Sequence, residues 1–297
     1  MKSVLLTRSL TGAVFVATLV ICTIYGPLYV GSLLFIICLL GLVEFYNLSR
    51  LYEIHPQKIF GVITGLFVFL YFLIRNFTTS KIFSDSFPAI LLLLISSIYI
   101  IELFRKKEKP FLNISVTVFG IIYVAIPFSF LIEIGHFKYT YEYRIILGIL
   151  CLIWCNDTFA YVTGSLFGKH KLMPRISPGK TWEGFIGGGI FTLIFAFFMD
   201  SLLVLVDPNH YEVRGIGKID WIIFAAVIFV IGTIGDLIES MFKRSIGVKD
   251  SGKLMAGHGG VLDRFDSLFL AVPFIYCYLF LIKNNLPYLQ TFFSNLK

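Results

Sequence analysis

IDWIIFAAVIFVIGTIGDLIESMF, residues 219–242, is an apolar run whose last third carries Gly235, Asp236, Glu239 and Ser240. A hydrocarbon core roughly 30 Å thick is crossed by about 20 helical residues. Inside it only a helix or a closed barrel satisfies every backbone hydrogen bond. On a helix Asp236, Ser240 and Lys243 share a face at i, i+4 and i+7, with Glu239 beside them. With a rise of about 1.5 Å per residue, Asp236 lies about 10 Å inward from Lys243. An ionised carboxylate facing lipid is costly, so this face must turn to protein, water or a cation. Pairing of Asp236 with a basic side chain inside the bundle meets that demand as well as a functional site does.

Similar runs recur from end to end. Nine candidate spans fall at approximately 4–25, 28–47, 58–75, 87–104, 112–134, 144–164, 183–206, 219–242 and 264–283. The chain is 57% hydrophobic and 14% charged, with mean hydropathy +0.86, against roughly 25% charged residues in soluble domains. A soluble fold is excluded, and the expected class is all-α, a polytopic transmembrane helical bundle. The first run carries Lys2 and Arg8 near its start, yet it is long and no small-residue cleavage site precedes Pro27, so it reads as a span and not a signal peptide. Cys22, Cys38, Cys151, Cys155 and Cys277 all sit in apolar runs, as buried small hydrophobes do. Cys151 and Cys155, one turn apart with no histidine nearby, make no metal site.

The formal charge of +7 has no basic soluble domain to hold it, so no nucleic-acid partner is expected. Orientation explains it better. With a cytoplasmic N-terminus, one side collects Lys2, Arg8, Arg50, Lys58, Arg105, Lys106, Lys107, Lys109, Lys169, Lys171, Arg175, Lys180, Lys243, Arg244, Lys249, Lys253 and Arg264. These are 17 of the 25 Lys and Arg residues. The positive-inside rule then places the loops after spans 2, 4, 6 and 8 in the cytoplasm and the C-terminus outside. Compact length and the lack of a targeting sequence point to a bacterial inner membrane.

The halves differ in kind. Residues 1–143 read as an N-terminal transmembrane scaffold, with few ionisable residues away from span ends and no recurrent motif. Residues 144–297 read as a C-terminal transmembrane catalytic region. Asp157, Glu183, Asp236 and Glu239 lie in or beside its apolar runs, and loops 165–182 and 243–263, both on one side, are dense in Gly, Pro, Lys and Asp. Gly257, His258, Gly259 and Gly260 permit a backbone whose amides approach an anion closely. Asp263 and Asp266 follow at i, i+3. A glycine turn needs no ligand, and acidic residues at a helix start suit the macrodipole, but neither accounts for acidic pairs on adjacent spans. Four carboxylates beside a basic loop repel one another unless a hard cation lies among them, and Mg2+ held by carboxylates and substrate phosphates is the commonest solution.

A second constellation lies between spans 6 and 7. Asn156, Asp157 and Thr158 are followed by Gly168, Lys169, His170, Lys171, Pro174, Arg175, Ser177, Gly179, Lys180, Thr181 and Glu183. Gly179-Lys180-Thr181 imitates the end of a P-loop, but Pro174 stands where the first glycine belongs and no strand precedes it. Ser177, Lys180 and Thr181 nevertheless sit just before a helix N-terminus that can bind an anion. His170 and His258 suit interfacial or turn positions as well as acid–base work.

Ser240-Met241-Phe242-Lys243-Arg244, Lys249-Asp250-Ser251-Gly252, Gly257-His258-Gly259-Gly260 and Leu262-Asp263-Arg264-Phe265-Asp266 together resemble the signature of the phosphatidate cytidylyltransferases, or CDP-diacylglycerol synthases. The stretch from Asp157 to Gly184 is similar to that family's second characteristic segment, with Phe159 where many members have glycine. The specific resemblance covers residues 154–267; the earlier spans match only in hydropathy and length. It implies a multi-spanning membrane enzyme, whose active site the Lys and Arg distribution turns to the cytoplasm. Such an enzyme makes CDP-diacylglycerol and pyrophosphate from CTP and phosphatidic acid, needs Mg2+ with a second cation left open, and acts as a homodimer. By resemblance Asp236 and Asp263 match the metal-centre carboxylates, with Asp157, Glu239 and Asp266 around them. Lys243 and Arg264 complete the expected catalytic set. Ser177, Lys180, Thr181, Ser240, Arg244, Lys249, His258, Gly259 and Gly260 are the expected substrate contacts.

In that reaction a phosphatidate oxygen attacks the α-phosphorus of CTP and pyrophosphate leaves. A phosphate monoester with a second pKa near 6 is already mostly dianionic at neutral pH, so no strong base is required. The task is to neutralise and align two polyanions, which falls to cations and to Lys180, Lys243, Arg244, Lys249 and Arg264. CTP would arrive from the cytoplasm, while phosphatidate slides its headgroup between helices toward a funnel with Asp157 at its deep end. A transporter would need polar residues reachable from both faces and perhaps repeated halves; here they cluster on one side without a repeat. A CTP-dependent lipid kinase would bind the nucleotide similarly but transfer the γ-phosphoryl group.

Overall fold

The computed structural model describes residues 2–78, 80–206, 213, 215–252, 259–283 and 285, with side-chain burial from Thr11 onward. Its helices are α1 (Lys2–Tyr25), α2 (Pro27–Arg50), α3 (Lys58–Arg75), α4 (Lys81–Phe104), α5 (Pro110–Gly135), α6 (Tyr143–Phe167), α7 (Trp182–Phe197), α8 (Met199–Val206), α9 (Lys218–Ser245) and α10 (Leu262–Lys283). Among the described residues α2 to α6, α9 and α10 are long and apolar enough to cross a membrane. The pair α7–α8, bent by 56°, makes an eighth span if counted as one, and α1 contributes the shorter apolar stretch Thr11–Tyr25. The chain is a multi-pass membrane protein.

The all-α expectation holds except in loop 165–182, which forms a small antiparallel hairpin. Strand β1 (Lys171–Met173) pairs with β2 (Ser177–Thr181), with Lys171 opposite Thr181 and Met173 opposite Ser177. Ile176 N donates to Met173 O across the turn, and Trp182 N donates to His170 O at 2.9 Å, carrying the pairing to the first residue of α7. Three paired residues are too few to leave a period-2 signal in the sequence.

Glycines decide how α7 lies on α6. A Cβ on Gly184 would stand 2.7 Å from Ala160 O, and one on Gly188 would stand 2.9 Å from Ala160 Cβ. Close backbone approach through small residues is the usual means of helix association where lipid removes the hydrophobic drive. Phe159 stacks face to face on Phe191 of α7, with ring centroids 4.2 Å apart, so it joins this interface. On the other side α10 packs against α5 and α9. A Cβ on Gly235 would come within 2.7 Å of Asp266 O, so α9 and α10 touch where each carries its carboxylates. A π-helical turn at Ile228–Gly232 resets the face that α9 presents from Thr233 to Ser245. Behind the site, Trp221, Phe224, Phe128 and Tyr46 fill a core without exposed surface.

Candidate active site

A cavity of about 720 Å3 opens between α1, α6, the hairpin, α7, α9 and α10. Asp157, Ser177, Lys180, Thr181, Asp236, Asp263, Arg264 and Asp266 all line it, so residues from both sequence constellations meet at one place. Phe15 and Val16 of α1 and Trp154 and Tyr161 of α6 give it an apolar stretch of wall.

Lys180, at the end of β2, reaches across to α9, where its Nζ stands 2.5 Å from Asp236 Oδ2. Ser240, one turn beyond Asp236, donates to Oδ1 at 3.3 Å. Thr181 is buried, and its hydroxyl accepts from Gly184 N at 3.1 Å as the N-cap of α7. That hydroxyl is therefore engaged in holding the helix start. Exposed His170 accepts a charge partner rather than facing the cavity: its Nδ1 is 2.6 Å from Glu183 Oε1, and its backbone N also donates to that carboxylate, pinning the hairpin to α7.

Lys243 forms the second ionic centre. Its Nζ lies 2.5 Å from Glu239 Oε2 and 2.6 Å from Asp263 Oδ1. Glu239 is almost wholly buried and neither of its oxygens accepts a well-directed hydrogen bond, so the Lys243 charge alone offsets it. Glu239 and Lys243 border a separate apolar groove with Tyr123 and Phe242. Asp263 is more fully bound, its Oδ2 accepting from Ser251 N at 3.0 Å and Gly260 N at 2.8 Å.

Other expected residues lie farther out. Arg244 donates to Ile176 O and Val248 O at 3.4 Å, tying the hairpin to the end of α9. Lys249 is exposed, and Gly259, in the left-handed region at φ 80°, lies beside the Asp263 carboxylate. His258, together with Lys253 and Gly257, falls outside the described residues.

One residue that sequence reasoning passed over belongs here. Glu44 of α2, inside the stretch taken as scaffold, hydrogen-bonds Ser251, Val261 and Leu262. A carboxylate inside the apolar run 28–47 was the available signal, since intramembrane acids are functional by default.

The oxygen donors suit a hard cation. Four aspartates line the cavity beside Asn156, whose buried Oδ1 has no hydrogen-bond partner. As placed, no three His, Cys, Asp or Glu side chains among the described residues stand close enough together to hold an ion. Lys180 and Lys243 carry the compensating charge instead.

Residues 6–282 match the profile of the Cytidylyltransferase family. The phosphatidate cytidylyltransferase of Haemophilus influenzae is 33% identical over 293 residues, 93% of this chain and 99% of its own length. That of Bacillus subtilis is 32% identical over 275 residues, 91% and 95% of the two chains. A Staphylococcus saprophyticus counterpart reaches 41% over 170 residues, 57% of this chain and 60% of its own length. With a family profile over nearly the whole chain and relatives aligned along almost their full length, the chain belongs to the phosphatidate cytidylyltransferase, or CDP-diacylglycerol synthase, family.

Proposed function

We propose that the cavity between α6, the hairpin, α7, α9 and α10 joins CTP to phosphatidate to give CDP-diacylglycerol and pyrophosphate. The observation that carries this reading is the meeting of Asp157, Asp236, Asp263 and Asp266 with Lys180 and Arg264 around one cavity with an apolar stretch of wall. A phosphatidate oxygen forms the new bond to the α-phosphorus, and the bond from that phosphorus to the β-phosphate oxygen breaks. No side chain needs to become covalently attached.

Asp236 and Asp263 would hold Mg2+ together with substrate phosphates, with Asp157, Asp266 and Glu239 as the carboxylates around it. Bound Mg2+ neutralises triphosphate charge and the charge that builds on the leaving pyrophosphate. Lys180, paired with Asp236 here, would be free to meet a phosphate oxygen if that carboxylate held a cation. Arg264, also on the cavity wall, serves the same end, while Lys243 keeps Glu239 and Asp263 in place. Residues 144–297 supply these groups, and residues 1–143 brace them.

The same proposal places nine crossings in the membrane, α1 included, with the N-terminus and the site on the cytoplasmic side of an inner membrane. The Lys and Arg distribution along the chain supports that orientation. A homodimer is part of the proposal through the family resemblance alone.

Product analysis tests the reaction. Purified chain incubated with α-labelled CTP, phosphatidate and Mg2+ is expected to produce labelled lipid and unlabelled pyrophosphate. Labelled free CDP with unlabelled lipid would identify a kinase instead, and no product of either kind would remove the enzymatic reading of this cavity.

A further inference from the structure

Glu44 is 8% exposed although it lies inside a membrane helix, in the last third of Pro27–Arg50. A buried carboxylate is retained only where it is paired or hydrogen-bonded. Its Oε1 accepts from Leu262 N at 3.0 Å and from the Ser251 hydroxyl, and its Oε2 accepts from Val261 N at 2.9 Å. Val261 and Leu262 begin α10, where amides have no partner within the helix and the helix dipole favours an anion.

Asp263 grips the same two backbone segments through Ser251 N and Gly260 N, while its other oxygen takes Lys243. The glycines between these carboxylates are fitted to them. A Cβ on Gly252 would stand 2.6 Å from Glu44 Oε2, and one on Gly260 would run into both Glu44 and the Ser251 hydroxyl. Close approach to an anion is thus what these glycines provide, and the anion is the protein's own.

We propose that Glu44 is a positioning residue for cytidylyl transfer. It clamps Ser251–Gly252 against Gly260–Leu262 and thereby fixes Asp263, and through it Lys243, at the edge of the cavity. A helix outside the signature region therefore sets the geometry of the signature itself. The proposal is independent of which carboxylates hold the metal.

The test uses the full chain in lipid nanodiscs with CTP, phosphatidate and Mg2+. Glu44→Gln keeps the side-chain size but turns one acceptor into a donor facing a backbone N–H or the Ser251 hydroxyl. Misplacing reacting groups by about 1 Å costs roughly 100-fold, so kcat per folded molecule should fall about 100-fold. The KM for CTP should stay within about threefold, because the loss falls on the transition state. Ser251→Ala should lower kcat about tenfold, the size of one charge-assisted hydrogen bond. The double variant should be no slower than Glu44→Gln alone, since both changes break one contact.

Wild-type kcat in folded Glu44→Gln overturns the proposal. So does a lowered unfolding temperature with unchanged kcat per folded molecule, which marks a structural staple only. Multiplying effects in the double variant would also overturn it. Should Glu44→Gln fail to fold, Ser251→Ala decides: a reduced kcat at unchanged KM supports positioning, and wild-type kcat ends it.

Discussion

Lys180 and Lys243 each neutralise a carboxylate of the site, yet replacing them by methionine should have very unequal costs in stability. The side chains of Lys243, Glu239 and Asp263 are 13%, 3% and 11% exposed, whereas those of Lys180 and Asp236 are 26% and 27% exposed. Removing one member of a buried pair leaves a buried charge uncompensated and costs about 3–5 kcal/mol. Lys243→Met belongs at the lower end, about 3 kcal/mol, because Asp263 keeps its bonds from Ser251 N and Gly260 N. Glu239 bears most of the loss, since it has no directed hydrogen bond to fall back on. Lys180→Met exposes a half-solvated carboxylate to the cavity and should cost under about 1 kcal/mol. Denaturant unfolding in mixed micelles, followed by helical circular dichroism, reads both values. Adding Glu239→Gln to Lys243→Met removes the orphaned charge and should recover most of the lost stability without restoring turnover. If Lys243→Met unfolds within about 0.5 kcal/mol of the parent, or if Glu239→Gln deepens the loss, the account of that buried centre is wrong.

Gly184→Ala places a methyl 2.7 Å from a backbone carbonyl oxygen, so overpacking should cost about 1–3 kcal/mol, seen as a lower unfolding temperature together with weaker turnover. Thr181→Ala removes the cap on Gly184 N and should lose about 1 kcal/mol, while Thr181→Ser keeps the hydroxyl and most of the stability; equal losses would show that the methyl, not the cap, matters. Sealed inverted inner-membrane vesicles should incorporate externally added CTP into lipid and right-side-out vesicles should not, and the reverse pattern would invert the orientation. Chelation of divalent cations should stop turnover and added Mg2+ should restore it, whereas full activity in chelator would remove the metal from the reaction.

The apolar runs made the membrane bundle legible, because no other structure satisfies a backbone in lipid. The carboxylates of α9 and α10 were legible as one cluster because Asp236 and Asp263 belong to neighbouring spans on the same side. Partner choice was not legible. Five basic residues compete for each acid in the sequence, and only the hairpin, too short for a periodic signal, carries Lys180 to Asp236. The 56° bend between α7 and α8 also left no trace, since Phe198 and Met199 at the break are neither proline nor glycine. Glu44 was visible as an acid inside an apolar run, but its partners lie more than 200 residues away in the chain. Local patterns carry no information on a contact of that range. The glycine motif was read as a cradle for a ligand's anion; Gly252 and Gly260 are shaped around Glu44, and Gly259 around Asp263.

Asp236 is the carboxylate on which the central claim turns, because it lines the cavity and pairs with the hairpin lysine. The direct measurement is transfer of label from α-labelled CTP to phosphatidate by Asp236→Asn in lipid nanodiscs, with unfolding recorded on the same sample. Even outer partners of a metal site cost 10–100-fold when removed, so this change should lower kcat by roughly 100-fold or more while the fold persists. Folded Asp236→Asn that transfers label at near-parental rates would contradict the assignment of the reaction to this cavity.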